Sequence, residues 1–495
     1  HDPLPHLPLA HDLRGRWADA TAATRFTAQS LVPRANSSLL AVQAPTCLPF
    51  LADSIVADRI AAFWMDDMCA NATQRAAMLS VVGHPRYART EGLYYLGWFN
   101  RTRLPNPELL SECEPLHRIL TLASDQSDNL SLLSRLPPLG SAPPLEQPPM
   151  WGGNQPTLYS PALTYVALVM SDGDNIAEDV ATLRPMLEQR TAAAAAATIT
   201  AAAATTTAAA TIAAAAPFGA SAAASTSTSA LPASALPPTS ALPPWTGTPL
   251  SWTLSNRLAQ WGPALLHWFY AQGRKTGLDS FLMGPSGYGY IFPGNMSRAA
   301  DRAWYTNATI AAATELGMQG LVNWDVDRSL DPGSTQRTEA LLRRYVGTAV
   351  RGVFQLDSDP LPPRQESPTF LHHASDPHLP PLPVFKPSYQ YGPPNATAIA
   401  AALASQRLGS LTYAYLSLGY DTSLVDAVAA ILARSAQHVK LVGYRELIAL
   451  AQQKHAADLM RQRLRDTAAE LRGCAKVHCA CEDFCRGNPN PNPNP

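Results

Sequence analysis

Residues 163–175 read "LTYVALVMSDGDN": an apolar, β-rich run over 163–171 that stops at Ser171 and turns into an acidic loop. Similar runs recur at 249–255 ("PLSWTLS"), 280–284 ("SFLMG"), 320–326 ("GLVNWDV"), 350–356 ("VRGVFQL"), 411–417 ("LTYAYLS") and 438–444 ("HVKLVGY"). Between them lie helix-period stretches, among them 257–273 ("RLAQWGPALLHWFYAQG") and 421–435 ("DTSLVDAVAAILARS"), the latter opened by an Asp/Thr/Ser cap signal. Strands alternating with helices argue for a parallel sheet, and the number of units argues for a TIM-like (β/α) barrel, closed or nearly so. Further strands expected at 92–99 ("GLYYLGWF") and 118–125 ("RILTLASD") suggest a smaller α/β domain in front. The division expected is 1–150 for that N-terminal domain with a Pro-rich linker, 157–456 for the barrel, and 457–495 for a C-terminal helix, a Cys-rich segment and an Asn-Pro tail.

Two stretches interrupt the rhythm. Residues 191–248 form a low-complexity Ala/Thr/Ser/Pro tract, expected to be broken by its threonines and prolines into an exposed, O-glycosylated insertion. Residues 358–394 read as a Pro/His-rich excursion.

The bulk numbers bound the partners. With 495 residues, 46% hydrophobic and a formal net charge of −1, the chain can bury a large core and offers no overall attraction for nucleic acid or anionic membrane. No run is long and apolar enough for a membrane span. Asn36, Asn71, Asn100, Asn129, Asn295, Asn307 and Asn395 each open an N-x-[ST] sequon. They are seven of the twelve asparagines before the C-terminal tail, where chance would give about two. A chain that opens at His1 with no leader then reads as the mature form of a secreted glycoprotein, destined for a cell wall or matrix. Cys47, Cys69, Cys113, Cys474, Cys479, Cys481 and Cys485 fit that compartment as disulfide candidates, one of them left over. The spacing in "CAKVHCACEDFC" (474–485) is not a zinc pattern, and neither metal nor cofactor is expected.

In a βα-barrel the chemistry gathers just past the C-terminal ends of the strands. That rule selects Asp172, Asp174 and Asn175 after the first barrel strand, Ser255 and Asn256 after the second, and "GPSGYGYIFPG" (284–294) after the third. It then selects Asn323, Trp324, Asp325 and Asp327, and finally Tyr444, Arg445 and Glu446. Carboxylates, amides and rings on one face suit a sugar, whose hydroxyls need hydrogen bonds and whose apolar faces need stacking. A carboxylate pair can run general acid and base or nucleophile. Asp172 and Asp174 with Asp325 or Asp327 are therefore the candidate catalytic acids, and Asp125 and Glu446 lie further out.

Residues 287–293, "GYGYIFP", match the pattern G-x-G-Y-x-Y-P, except that Phe292 stands where the pattern has tyrosine. "VMSDGDNI" (169–176), "SWTLSNRLAQWGPALLHWFY" (251–270), "YYLGWF" (94–99) and "SDQSDNLSLLS" (124–134) extend the likeness over about residues 45–450. By these segments the chain resembles the GxGYxYP family of putative glycoside hydrolases. The resemblance implies an N-terminal α/β domain, a barrel-like C-terminal domain and a carbohydrate ligand, with Gly287, Gly289, Tyr290 and Pro293 as motif residues. Gly287 and Gly289 would let backbone approach a ligand closely, and Tyr288 and Tyr290 would offer stacking faces. The alternative is a non-catalytic structural subunit of a matrix, wall or filament on the same fold, associating with itself or with fibre partners through its tail.

Overall fold

The computed structural model describes residues 15–42, 52–66, 68, 71–87, 93–96, 119–123, 130–137, 145–149, 156–171, 173, 176, 179–214, 247–291, 293–296, 298–324, 334–356, 367–376, 378–417 and 421–486. Among these residues the protein is a mixed α/β structure built on two sheets. The smaller has strands β1 (Leu39–Val42), β2 (Ala61–Phe63), β3 (Leu93–Leu96) and β4 (Ile119–Ala123), all parallel, in the order β2-β1-β3-β4. Leu40 and Val42 of β1 pack with Met78, Val81 and Val82 of the helix Ala72–Val82 in a core of their own.

The larger sheet has ten strands: β5 (Thr164–Met170), β6 (Leu250–Leu254), β7 (Asp279–Met283), β8 (Gly320–Asn323), β9 (Gly352–Gln355), β10 (Thr369–Leu371), β11 (Leu382–Phe385), β12 (Pro387–Gln390), β13 (Leu411–Leu416) and β14 (Val439–Val442). The run that opened the reading is its centre. All seven residues of β5 are buried, as expected of a parallel strand covered on both faces. One edge of β5 pairs with β13 along six positions, while its remaining pairing is divided between β14, at Thr164–Ala167, and β6, at Val169–Met170. The sheet curls because the segment 382–390 changes partner at Lys386: β11 lies parallel to β9, and β12 lies parallel to β13. Among the described residues only β10 runs antiparallel to its neighbour.

Alternation along β5 divides the core. Val166, Leu168 and Met170 face the helices, in one cluster with Trp252, Leu266 and Phe269. Tyr165, Ala167 and Val169 face inward, with Val322, Phe354, Phe385 and Tyr413. Alternate side chains go to opposite faces and both faces are buried, which is why the sequence shows no polar alternation.

Several expectations need correcting. Over residues 191–214 the Ala/Thr tract is not broken, since a helix runs from Arg184 to Ala214; residues 215–246, with the tract's prolines, lie outside the described residues. Alanine has the highest helix propensity, and Thr191, Thr198 and Thr200 donate their hydroxyls to the carbonyls of Leu187, Ala194 and Ala196, one turn back. The stretch 257–273 is two helices, Leu258–Trp261 and Pro263–Thr276, because Gly262 leaves the helical conformation and Pro263 starts the second. The excursion 358–394 contains β10, β11 and β12. Strand 438–444 stops at Val442, and Tyr444 opens a helix that continues to Arg486. The helix Thr422–Ser435 is as read, its cap made by Asp421 Oδ1, which accepts from the Leu424 amide at 3.0 Å.

The helix from Tyr444 fills the starting end of the curled sheet. Tyr444, Leu447, Ile448 and Ala451 belong to the inner core. The Tyr444 amide donates to Ser251 Oγ (3.0 Å), and its hydroxyl donates to the Phe281 carbonyl (2.8 Å). Strands β8 and β9 begin with glycine to admit it: a Cβ on Gly320 would lie 2.9 Å from the Tyr444 ring, and one on Gly352 would lie 2.6 Å from Ile448. At the same end the Thr157 hydroxyl donates to Glu446 (2.5 Å) and accepts from Lys440 (3.0 Å).

The Ala-rich helix is fastened by one buried ion pair. Arg190 Nε meets Asp279 Oδ1 at 2.7 Å with both side chains inaccessible, and Trp252 Nε1 donates to the same oxygen at 2.7 Å. Arg190 also donates to the Thr248 carbonyl at 2.7 Å, so one side chain joins the helix to the start of β6 and to β7. Replacing Arg190 with Met would strand a buried carboxylate, and we expect a loss of about 3–5 kcal/mol in urea unfolding.

Burial pushes the Glu446 carboxyl above the usual carboxylate range, against the opposing pull of the Thr157 hydroxyl and the Lys440 charge. The folded chain therefore holds this proton more tightly than the unfolded chain. Its contribution to stability is present in acid and is lost as pH rises through the folded value. Glu446→Gln, which can still accept from Thr157, should gain stability relative to the parent as pH rises above the ordinary glutamate value of about 4.3. Urea midpoints of both proteins across that rise check the sign.

Candidate functional site at the strand ends

The C-terminal ends of β5–β9, β12 and β13 carry polar and aromatic groups, several of them buried. After β5, the Gly173 amide donates to Thr253 Oγ1 (2.9 Å), and Thr253 donates in turn to the Met170 carbonyl (2.8 Å). A Cβ on Gly173 would lie 1.7 Å from the Thr253 carbonyl oxygen, so only glycine lets this loop rest on β6. The loop's acids, Asp172 and Asp174, and its amide Asn175 lie outside the described residues, as do Asp325 and Asp327 after β8 and the outlying Asp125.

After β6, Asn256 is 3% exposed; its amide donates to the Gly287 carbonyl at 2.7 Å, and its Oδ1 makes no hydrogen bond. After β7 the chain turns tightly, the Ser286 amide donating to the Gly289 carbonyl (3.1 Å) and the Gly287 amide to that of Gly284 (2.9 Å). Gly287 has φ +115°, a conformation other residues avoid, and its missing side chain leaves room for Thr309. The motif therefore faces two ways. Tyr288 turns toward the helix Ala299–Leu316, its ring 5.8 Å from Trp304 and beneath the Arg257 guanidinium at 4.3 Å, while its amide donates to Thr309 Oγ1. Gly289 is buried, its carbonyl accepting from Tyr305 Oη at 3.0 Å. Tyr290 turns toward Trp324, with the ring centres 5.2 Å apart.

After β8, Asn323 is 1% exposed and joins its neighbour strand through a paired amide contact. Its Nδ2 donates to Gln355 Oε1 at 2.8 Å, and Gln355 Nε2 donates to the Asn323 and Leu356 carbonyls. Asn323 Oδ1 has no hydrogen-bond partner among the described residues. The Trp324 amide donates to Ser286 Oγ at 3.1 Å, which ties the β8 end to the β7 turn. From Trp324 the rings continue to Tyr391 (6.5 Å) after β12 and on to Tyr415 (5.2 Å) in β13. Trp324 and Tyr391 are half-buried. A row of rings, Tyr290–Trp324–Tyr391–Tyr415, thus runs beside buried amides, the combination that holds a ligand with apolar faces and hydroxyl edges.

Of the residues selected from the sequence, the structure brings Tyr290, Asn323 and Trp324 together and sets Asn256 beneath the same turn. Tyr444, Arg445 and Glu446 are not at this end, because β14 stops early and they begin the helix that fills the opposite one. Gln355, Tyr391 and Tyr415 were missed. Gln355 closes a strand that was read correctly, and the strand-end rule applied there would have found it. Tyr391 is hidden by the prolines of the segment before it. Cys47, Cys69 and Cys113 lie outside the described residues, and for Cys474, Cys479, Cys481 and Cys485 only the helical backbone is described.

Residues 246–366 match the model of the GxGYxYP putative glycoside hydrolase C-terminal domain. No curated protein matches. Among solved structures the chain is similar to a putative hydrolase from Bacteroides thetaiotaomicron VPI-5482, at 16% identity and a TM-score of 0.57, over 87% of this chain and 69% of that one. That likeness speaks to the fold. The family match speaks to the stretch from β6 to β9, which holds the β7 turn and the Asn323–Trp324 strand end. It is over these residues that the chain is similar to the GxGYxYP family.

Proposed function

We propose that this protein is a carbohydrate-active hydrolase that binds a poly- or oligosaccharide across the strand ends and cleaves a glycosidic bond there. The observation that carries the reading is the row of rings beside Asn256, Asn323 and Gln355, with half-buried Trp324 and Tyr391 at its centre. Sugars stack on such rings, and the amides meet hydroxyls. The candidate acids follow directly in sequence: Asp172 and Asp174 after Ser171, and Asp325 and Asp327 after Trp324. They come from β5 and β8, strands with two others between them in the ladder, as a reaction needing one carboxyl on each side of the scissile bond requires. The TIM-like form of the barrel, with β14 as its last strand, and the division at about residues 150 and 456 belong to the same reading.

A screen of reducing-sugar release on plant, fungal and bacterial polysaccharides is the direct test. On any substrate found, Asn replacement of the true acid among Asp172, Asp174, Asp325 and Asp327 should lower kcat by about 10²–10⁴-fold. Trp324→Ala should raise the dissociation constant of the oligosaccharide product about tenfold. Hydrolysis unchanged in all four Asn variants overturns the assignment.

We also read the chain as a secreted N-glycoprotein. Asn71, Asn307 and Asn395 are exposed, and Asn71 and Asn395 cap helices through their carbonyl oxygens. Asn36 is less suited, since its amide nitrogen donates to the Asp58 carbonyl at 3.2 Å. Protein from its native source should lose mass in discrete steps on peptide-N-glycosidase treatment; a mass equal to that of the bare chain counts against secretion. A structural-subunit reading draws on one observation, the exposed Leu459, Met460 and Leu464 on the C-terminal helix, and predicts self-association in sedimentation.

A further inference from the structure

At the end of the sheet opposite the candidate active site, a cavity of about 550 Å³ opens between the C-terminal helix and the turn that leads into β13. Its charge is unlike that of the chain as a whole. Arg407, Lys454, Arg461 and Arg465 line it, and among the described residues the single lining carboxylate is Asp458. Asp458 is already shared, accepting from Lys454 Nζ at 2.9 Å and lying 3.1 Å from Arg461. Among the described residues four cations thus line the cavity beside one carboxylate, in a protein whose formal net charge is −1.

The cations form a row. Lys454, Arg461 and Arg465 succeed one another on one helix at intervals of seven and four residues, roughly 10 Å and 6 Å of axial rise, with Arg407 contributed by the facing turn. A single phosphate or sulfate could satisfy one or two of them. A row of this length matches a ligand whose negative charges repeat along a chain. The polar lining is of the kind that takes sugar hydroxyls: Ser410, Gln462 and the backbone of Gly409. A single-stranded nucleic acid would need open rings for its bases. The rings lining the cavity among the described residues are engaged elsewhere: Tyr159 lies 6.0 Å from Tyr165 and donates its hydroxyl to the Gly409 carbonyl at 3.1 Å, and His455 lies 4.7 Å from Phe370 and 5.6 Å from His372.

We propose that this groove binds an acidic saccharide, one bearing sulfate or carboxylate groups along its length, at a site separate from the strand ends. Its role would be to hold the protein on a charged polysaccharide, whatever reaction the other end performs. The groove does not depend on the hydrolase reading, because it shares no residue with the ring row.

The test is calorimetric titration of the full chain with a heparin-derived hexasaccharide, which carries both anionic groups, and with an uncharged glucan hexasaccharide. Arg461 and Arg465 are exposed, so the double variant R461A/R465A should fold as the parent does. Expected are binding of the acidic hexasaccharide that weakens as salt rises, a loss of about tenfold or more in the double variant, and no change in Trp324→Ala. Binding equally tight in the double variant overturns the proposal. So does displacement by inorganic sulfate at equal concentration, which would mark a simple anion site, or equal affinity for a single-stranded DNA of matched charge.

Discussion

The architecture depends on one filled end. The sheet curls because segment 382–390 changes partners at Lys386, and a curled sheet of parallel strands must fill its interior. At the starting end the filling comes from outside the sheet: Tyr444 and Ile448 enter against Gly320 and Gly352, and Tyr444 hydrogen-bonds to both Ser251 and Phe281. Any side chain at those two glycines would collide with the helix. Apolar packing closes this end, and at the other Asn256 Oδ1 and Asn323 Oδ1 are buried with no hydrogen-bond partner among the described residues.

The two ends of the sheet differ in character. The strand ends bear rings and neutral amides, suited to the faces and hydroxyls of a sugar; the opposite end bears a row of cations around the C-terminal helix. Local constraints hold the first in shape. Gly173 rests on Thr253, Gly287 makes room for Thr309, and Ser286 ties the β7 turn to Trp324. The "GYGY" segment is one chain turned two ways, Tyr288 packing against the helix behind and Tyr290 joining the ring row. Gly287 and Gly289, on either side of Tyr288, supply the turn, and the tyrosines are not equivalent.

Much of the strand pattern was legible because buried parallel strands announce themselves as apolar runs: 163–171 and 411–417 became Thr164–Met170 and Leu411–Leu416. The strand-end rule then pointed to Asn256, Asn323 and Trp324. What stayed hidden has physical causes. Pro383 and Pro387 made 382–390 look unlike strands, yet Pro387 is tolerated as the first residue of β12. Tyr391, at the far end of that segment, was lost with it. The Ala/Thr tract read as broken because threonine is a poor helix former in isolation; alanine and back-bonded hydroxyls carry its helix to Ala214, and the Arg190 ion pair fastens its start.

By itself the sequence determined the alternation of strand and helix, the cap at Asp421, the likeness to the GxGYxYP pattern and the polar residues at several strand ends, because each is written in local spacing. The tertiary structure decided which residues meet. That Tyr444 fills the base, that Gln355 locks Asn323, and that Arg407 faces Lys454 across a groove all depend on contacts between residues far apart in the chain. Such contacts are set by how the sheet curls, and no local pattern of residues records that curl.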